Sequence, residues 1–244
     1  MEDLGTLGGW YSTGNGINEA GWVSGSSRVA DGSFHVFLAK PGEGMVDLGQ
    51  GIGGDINNRG VIIGSGPNGI PELLYDGKRV RITPNFGIAQ YSVGCLNDHN
   101  LFRGTYWDFR LGIGFTAIVG SEKHGIVDLN KLIPTNSGWV LVEANGMNNK
   151  CQIVGKGWNG NAGRNTMFRL DPVIPPITIR HVGTNVLSSW PDTFFPLRLE
   201  EAASAEAFAW QAVSGVTTNS ASLPLTHAKR FYRLAIPPPP AVAQ

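Results

Sequence analysis

Over the first 170 residues short apolar runs alternate with clusters of Gly, Asn, Asp and Ser, and no interval keeps a helical period. One arrangement within that alternation recurs. Ile17-Asn18-Glu19-Ala20-Gly21-Trp22-Val23-Ser24-Gly25 returns as Ile56-Asn57-Asn58-Arg59-Gly60-Val61-Ile62-Ile63-Gly64, then as Leu96-Asn97-Asp98-His99-Asn100-Leu101-Phe102-Arg103-Gly104, and finally as Met147-Asn148-Asn149-Lys150-Cys151-Gln152-Ile153-Val154-Gly155. The anchoring residues Asn18, Asn57, Asn97 and Asn148 are 39, 40 and 51 residues apart. Such a spacing predicts a succession of similar supersecondary units.

Within each unit an aliphatic side chain is expected to pack inward. The Asn opens a turn by hydrogen-bonding its own backbone two residues on, and a polar pair stays in solvent. Gly21 and Gly60 fall where φ is expected to be positive, a conformation that costs a residue with a Cβ about 1–2 kcal/mol. The third and fourth copies place Asn100 and Cys151 there; Asn tolerates that region, Cys less well. A short strand follows each turn and ends at a Gly.

Two further segments accompany the turn. An apolar strand reads Phe34–Leu38, Glu72–Tyr75, Phe115–Val119 and Thr166–Leu170, and a closing strand reads Met45–Gly49, Arg79–Ile82 and Ile126–Asn130. Gly-containing turns at Pro41-Gly42-Glu43-Gly44 and Asp76-Gly77-Lys78 join them, as expected of antiparallel neighbours. Units of roughly 40 residues with three or four short strands are the size of propeller blades, so the expected fold class is all-β: a small antiparallel β-propeller of about four blades followed by a small β-sandwich. The fourth unit lacks its closing Asp-Leu strand, and Asp3-Leu4-Gly5 supplies that sequence. Pairing the N-terminal segment into the last blade would close the ring and cover two sheet edges; an open array is the alternative. Asp108–Gly114 and Ile133–Gly138 read as extended loops, and Trp139–Glu143 as an additional or outer strand.

The prolines of Asp171-Pro172-Val173-Ile174-Pro175-Pro176 resist regular sheet and mark a boundary. The domain reading is therefore 1–171 for the repeats, 172–176 for a proline-rich linker, 177–236 for a small β-sandwich and 237–244 for an extended tail. In the sandwich Trp190 is the expected core residue, with Tyr232 nearby.

Composition supports turns between short strands: Gly accounts for 34 of 244 residues without a three-residue period. The 19 basic and 19 acidic residues cancel, so no nucleic-acid or anionic-membrane surface is expected. No apolar run is long enough to span a bilayer, and the N-terminus lacks the basic and apolar regions of a signal peptide. Cys95 and Cys151 establish neither a disulfide nor a metal site.

Reaction parts are sparse. Gly64-Ser65-Gly66-Pro67-Asn68-Gly69 has the letters of a dinucleotide fingerprint, but Ile70-Pro71 opens a strand where that fold needs a helix, so a hairpin turn is expected. No Gly-x-Ser-x-Gly elbow is present, and neither cysteine has an evident histidine partner. Asp47 and Asp128, with Asp3 as a third, occupy matched positions: they either cap local amides or meet around a channel and bind a cation. The aromatic residues point to recognition. Trp107 and Trp158, adjoined by polar turns, are the leading ligand-binding candidates, with Trp139 and Tyr106 beside them.

The repeat resembles the HAF repeat family, whose pattern runs Asp-Leu-Gly-Thr-Leu-Gly-Gly, then Ile-Asn-x-x-Gly-x-Val-x-Gly, Phe-Leu and a returning Asp-Leu-Gly. Asp3 to Gly9, Ile17 to Gly25, Phe37-Leu38 and Asp47-Leu48-Gly49 match it in order, and later copies match more loosely. The resemblance covers about residues 3–170 and implies a secreted or surface-associated, propeller-like protein; it carries no catalytic residues. Ile177–Ala235, with Asn185–Pro191, Trp210–Val213 and Arg230–Leu234, resembles the small β domain that ends large exported proteins of planctomycete- and verrucomicrobia-type bacteria. Together these readings describe a noncatalytic extracellular or cell-surface module that binds a polysaccharide or a surface protein, or serves as a structural unit, without a cofactor. A glycan hydrolase or lyase on the same scaffold is the alternative, and it would require two opposed carboxylates in a cleft.

Overall fold

The computed structural model describes all residues except 84–89, 109–112, 208, 225–228 and 241–244, together with the side chains of Asp108 and Ile113. The chain forms two compact units, Met1–Asp171 and Pro172–Pro238.

The first unit contains four antiparallel meanders. Sheet 1 holds β1 (Gly8–Ile17), β2 (Val23–Val29), β3 (Phe34–Ala39) and β4 (Met45–Gln50). Sheet 2 holds β5 (Ile52–Ile56), β6 (Ile62–Ser65), β7 (Pro71–Tyr75) and β8 (Lys78–Arg81). Sheet 3 holds β9 (Gln90–Leu96), β10 (Phe102–Asp108), β11 (Ile113–Ser121) and β12 (Gly125–Asp128), and sheet 4 holds β13 (Trp139–Met147), β14 (Ile153–Asn159) and β15 (Arg164–Leu170). The sheets pack in chain order: β5 lies against β1, β2 and β3, β9 against β5 and β6, and β13 against β9, β10 and β11.

Between sheets 2 and 3 sits a core of Val61, Ile63, Leu73, Leu96, Phe102 and Ile118, with Tyr106 included. A smaller cluster of Val36, Ile56, Ile62 and Leu74 joins sheets 1 and 2, with Trp22 packed against it. At one point those two sheets meet backbone to backbone. A Cβ on Gly53 would lie 2.1 Å from the Gly25 carbonyl oxygen, so β5 cannot carry a side chain at that crossing.

The four Asn turns connect the first and second strand of each sheet. Gly21, Gly60, Asn100 and Cys151 all have positive φ, at 77°, 75°, 60° and 57°. Before each turn the first strand is irregular, with register shifts at Gly14/Gly16, Gly53/Ile56 and Ala144/Gly146, and around Cys95 in β9. Such irregularities bend a strand and increase its local twist.

Several expectations are corrected. The sheets do not close into a propeller; they form an all-β series of small antiparallel sheets, none of them strongly curled. Asp3-Leu4-Gly5 is not a strand of sheet 4, because the N-terminal segment is held by sheet 1. Leu7 forms a single parallel bridge with Val29, its N–H donates to Ser27 Oγ, and Ser12 Oγ donates to the Gly5 carbonyl at 2.8 Å. Sheet 4 thus has three strands. Trp139 begins β13, which is the first strand of sheet 4 and not an outer addition. Ile17, expected inward, is exposed. The extended loop read over Asp108–Gly114 lies largely outside the described residues.

The second unit has two three-stranded sheets. One is β16 (Thr178–Val182), β17 (Asn185–Ser189) and β20 (Ser220–Pro224); the other is β19 (Gln211–Ala212), β18 (Arg198–Ala202) and β21 (Phe231–Ala235). They share a core of Trp190, Leu199, Ala221, Leu223 and Leu234, against which Tyr232 packs. Glu200 is buried between Arg198 and Arg233; Arg233 Nε donates to it at 2.8 Å.

Candidate functional site

The distinctive polar residues of the first unit are joined into one hydrogen-bonded ladder. Each Asn folds its own turn: Asn18 Oδ1 accepts from the Ala20 and Trp22 amides, Asn57 Oδ1 from Arg59 and Val61, Asn97 Oδ1 from His99 and Leu101, and Asn148 Oδ1 from Lys150 and Gln152. The amide nitrogen then reaches the next sheet. Asn18 Nδ2 donates to the Asn57 carbonyl at 3.1 Å, Asn57 Nδ2 to the Asn97 carbonyl at 3.0 Å and Asn97 Nδ2 to the Asn148 carbonyl at 3.2 Å.

A second rail runs beside it. The Glu19 amide donates to Asn58 Oδ1, the Asn58 amide to Asp98 Oδ1 and the Asp98 amide to Asn149 Oδ1, at 2.8–2.9 Å. A side chain that both shapes its own turn and binds the neighbouring turn sets the relative height of successive sheets.

A shallow depression of about 410 Å³ follows the ladder, lined by these Asn residues together with Glu19, Asp55 and Asp98. Two of its carboxylates are committed to structure. Asp55 accepts from the Ile56 and Leu96 amides, and the buried Asp98 accepts from the Asn58 amide and from the side-chain amides of Asn58 and Asn149. His99 Nε2 lies 3.1 Å from the Asn149 carbonyl. Burial lowers its pKa despite that bond, so the neutral ring is the favoured form.

A second depression, of about 340 Å³, lies between sheets 2 and 3. Its walls include Gly53, Gly54, Gly64, Tyr91, Ser92 and Trp107. Trp107 Nε1 donates to Gln90 Oε1 at 2.6 Å, and the indole packs against Phe115 with centroids 5.5 Å apart. Burial pushes the neighbouring Tyr91 phenol up to about 12, which keeps it neutral. The result is a fixed indole and a phenol ring beside glycine backbone, an arrangement that can receive a flat, hydroxylated ligand.

The four aromatic candidates are not brought together. Tyr106 is a core residue opposite Tyr91 in the register. Trp139 is half-buried and meets Phe168 edge to face, with centroids 6.4 Å apart. Trp158 is exposed on β14, opposite Val140. Of the four, Trp107 alone lines either of these two depressions. Tyr91 is one of the aromatic residues that the sequence points to for recognition, whereas nothing in the sequence marks Gln90 or the facing glycines. A symmetric hairpin about Asn97–Leu101 would place Trp107 opposite Tyr91; the irregularity at Cys95 slips the register by one residue and brings Gln90 opposite.

The matched acidic residues share a local role. Asp3 Oδ1 accepts from the Gly5 amide, Asp47 Oδ1 from Gly49 and Asp128 Oδ1 from Asn130, at 2.7–2.9 Å. Among the described residues no group of three or more His, Cys, Asp or Glu is placed to hold a metal ion. Gly66 to Gly69 form a hairpin turn between β6 and β7, with the Gly66 amide donating to the Ile70 carbonyl. Cys95 and Cys151 are both free thiols. No helix among the described residues is long and apolar enough to cross a membrane.

No family model matches the chain, and no curated protein does; the HAF family signature is therefore not found by comparison. Among solved structures, TolB from Acinetobacter baumannii is similar at 13% identity and a TM-score of 0.38, over 92% of this chain and 57% of that one. The chain thus spans a little over half the length of that protein, and a likeness of this degree does not define its topology.

Proposed function

We propose that the chain is a noncatalytic extracellular binding module that receives a saccharide face at Trp107. The observation that carries this reading is the fixed indole beside Tyr91 in a depression walled by glycine backbone. Stacking of a sugar ring on a rigid aromatic side chain needs little ordering of the protein on binding. The described lining of that depression contains no carboxylate, which favours binding over glycoside cleavage, since cleavage needs a pair of them. The extracellular setting is supported by the sequence resemblance of residues 3–170.

Titration with soluble cell-wall and plant polysaccharides, followed by affinity electrophoresis and calorimetry, tests the reading. Saturable binding without release of reducing ends is expected, weakened at least about tenfold by Trp107→Ala, as expected for loss of an aromatic anchor. Unchanged affinity in Trp107→Ala, or cleavage that survives repurification, overturns it.

A further inference from the structure

The ladder stops at both ends of the first unit, and the two ends are complementary. At the head, the Asn18 carbonyl accepts, among the described residues, only from Gly21 within its own turn, whereas the Asn57, Asn97 and Asn148 carbonyls each also accept from the preceding sheet. Glu19 occupies the position of Asn58, Asp98 and Asn149, whose side-chain oxygens all accept an amide from the preceding turn. Its carboxylate is exposed and has no partner among the described residues. At the tail, the Asn149 amide stands where the Glu19, Asn58 and Asp98 amides each donate onward. Asn148 Nδ2 uses one of its two protons on Gln152 Oε1 and retains the other.

The apolar positions follow the same logic. Ile17 is 69% exposed, while its equivalents Ile56 and Leu96 are 4% and 6% exposed beneath the preceding sheet. On sheet 4, Val154 corresponds to Ser24 and Ile63, and Met167 to Val36 and Ala117, by position in the turn and strand register. Those interior residues are fully buried; Val154 is 47% and Met167 85% exposed.

We infer that a second copy of this chain docks head to tail, with its sheet 1 on the outer face of sheet 4, continuing both rails of the ladder. The interface commits Asn148 Nδ2 to the incoming Asn18 carbonyl and the Asn149 amide to the incoming Glu19 carboxylate, with Val154 and Met167 covered by the incoming sheet and its Ile17. Charge fits as well: Glu19 arrives beside Lys150, which follows Asn149 in the tail turn. The contact is heterologous, because each copy contributes a different face, so assembly extends beyond a dimer unless a ring closes. This inference does not depend on the saccharide reading.

Sedimentation velocity over a wide concentration range, combined with light scattering, tests it. The wild-type mass should rise with concentration, while Ile17→Lys and Met167→Lys should each stay monomeric with an unchanged thermal midpoint, since both side chains are exposed. Mixing the two variants should give a dimer and nothing larger, because only one compatible head and tail remain. Oxidation of the double variant Glu19→Cys/Asn149→Cys should give chains linked between molecules. A wild-type monomer at every concentration, no dimer in the mixture, or a link formed within one chain overturns the inference.

Discussion

Replacing Asn57 by Asp isolates the contribution of the ladder, because the two side chains have nearly the same shape. Asn57 is buried and uses its full hydrogen-bonding capacity: Oδ1 accepts two amides, and Nδ2 donates to the Asn97 carbonyl at 3.0 Å and to Asn100 Oδ1 at 2.9 Å. Aspartate keeps the acceptor role but turns a carboxylate oxygen toward two acceptors. Two net hydrogen bonds of about 1 kcal/mol each are lost, and the facing oxygens go short of a donor at about 1 kcal/mol or more between them. The expected cost is about 3–4 kcal/mol. The same substitution at Asn148 removes only the exposed bond to Gln152 Oε1 and should cost less than about 1 kcal/mol. Urea unfolding followed by circular dichroism at pH 7 measures both values. Repeating it near pH 5 should narrow the gap between Asn57→Asp and wild type, since a protonated carboxyl restores one donor to the ladder. Equal costs at the two positions would refute the claim that inter-sheet bonds, and not the turns alone, stabilise the stack.

Burial pushes the Cys151 thiol up to about 11, so at pH 8 its alkylation by iodoacetamide should run about two orders of magnitude slower than that of a free cysteine. Peptide mass spectrometry of the native protein checks this, and a rate equal to that in urea would contradict it. In the second unit, burial raises the Glu200 pKa, but the bonds from Arg198 and Arg233 outweigh it and leave the group lowered. Its stabilising contribution is therefore present above the unfolded carboxylate range and lost as pH falls through the lowered value. Glu200→Gln should cost about 1–3 kcal/mol at pH 7 and flatten the acid-side loss of stability, as read by scanning calorimetry across pH; an unaltered acid limb would contradict the assignment.

What is legible in the sequence is the chemistry that a few adjacent residues complete among themselves. Asn18 accepting from Ala20, and a positive φ at Gly21 and Gly60, follow from local side-chain and Cβ sterics. The first strands of sheets 1 and 2 are hard to read for the opposite reason. Gly8–Ile17 and Ile52–Ile56 are rich in Gly, which weakens a strand interior and interrupts the alternation of their Trp, Tyr, Thr and Ile residues, and they are strands because their neighbours supply the pairing. Closure fails on the same distinction. Asp3-Leu4-Gly5 and Asp47-Leu48-Gly49 share letters and the same Asp-to-Gly amide bond, yet Asp47 is paired in β4 while Asp3 lies in no strand. The motif specifies a turn and leaves the strand partner unspecified.

The end of the ladder does leave a trace in the sequence, at a position the motif treats as variable. The first three turns carry Trp22, Val61 and Leu101 there, and the fourth carries Gln152. A buried apolar side chain suits a turn covered by a neighbouring sheet, whereas Gln152 supplies Oε1 to Asn148 Nδ2 and donates to Asp171. An exposed Asn at the last turn would otherwise hold its ladder proton out to water alone. The polar substitution thus marks the terminal turn by partly replacing the missing neighbour. It does so while leaving the second Nδ2 proton and the Asn149 amide available for an incoming copy.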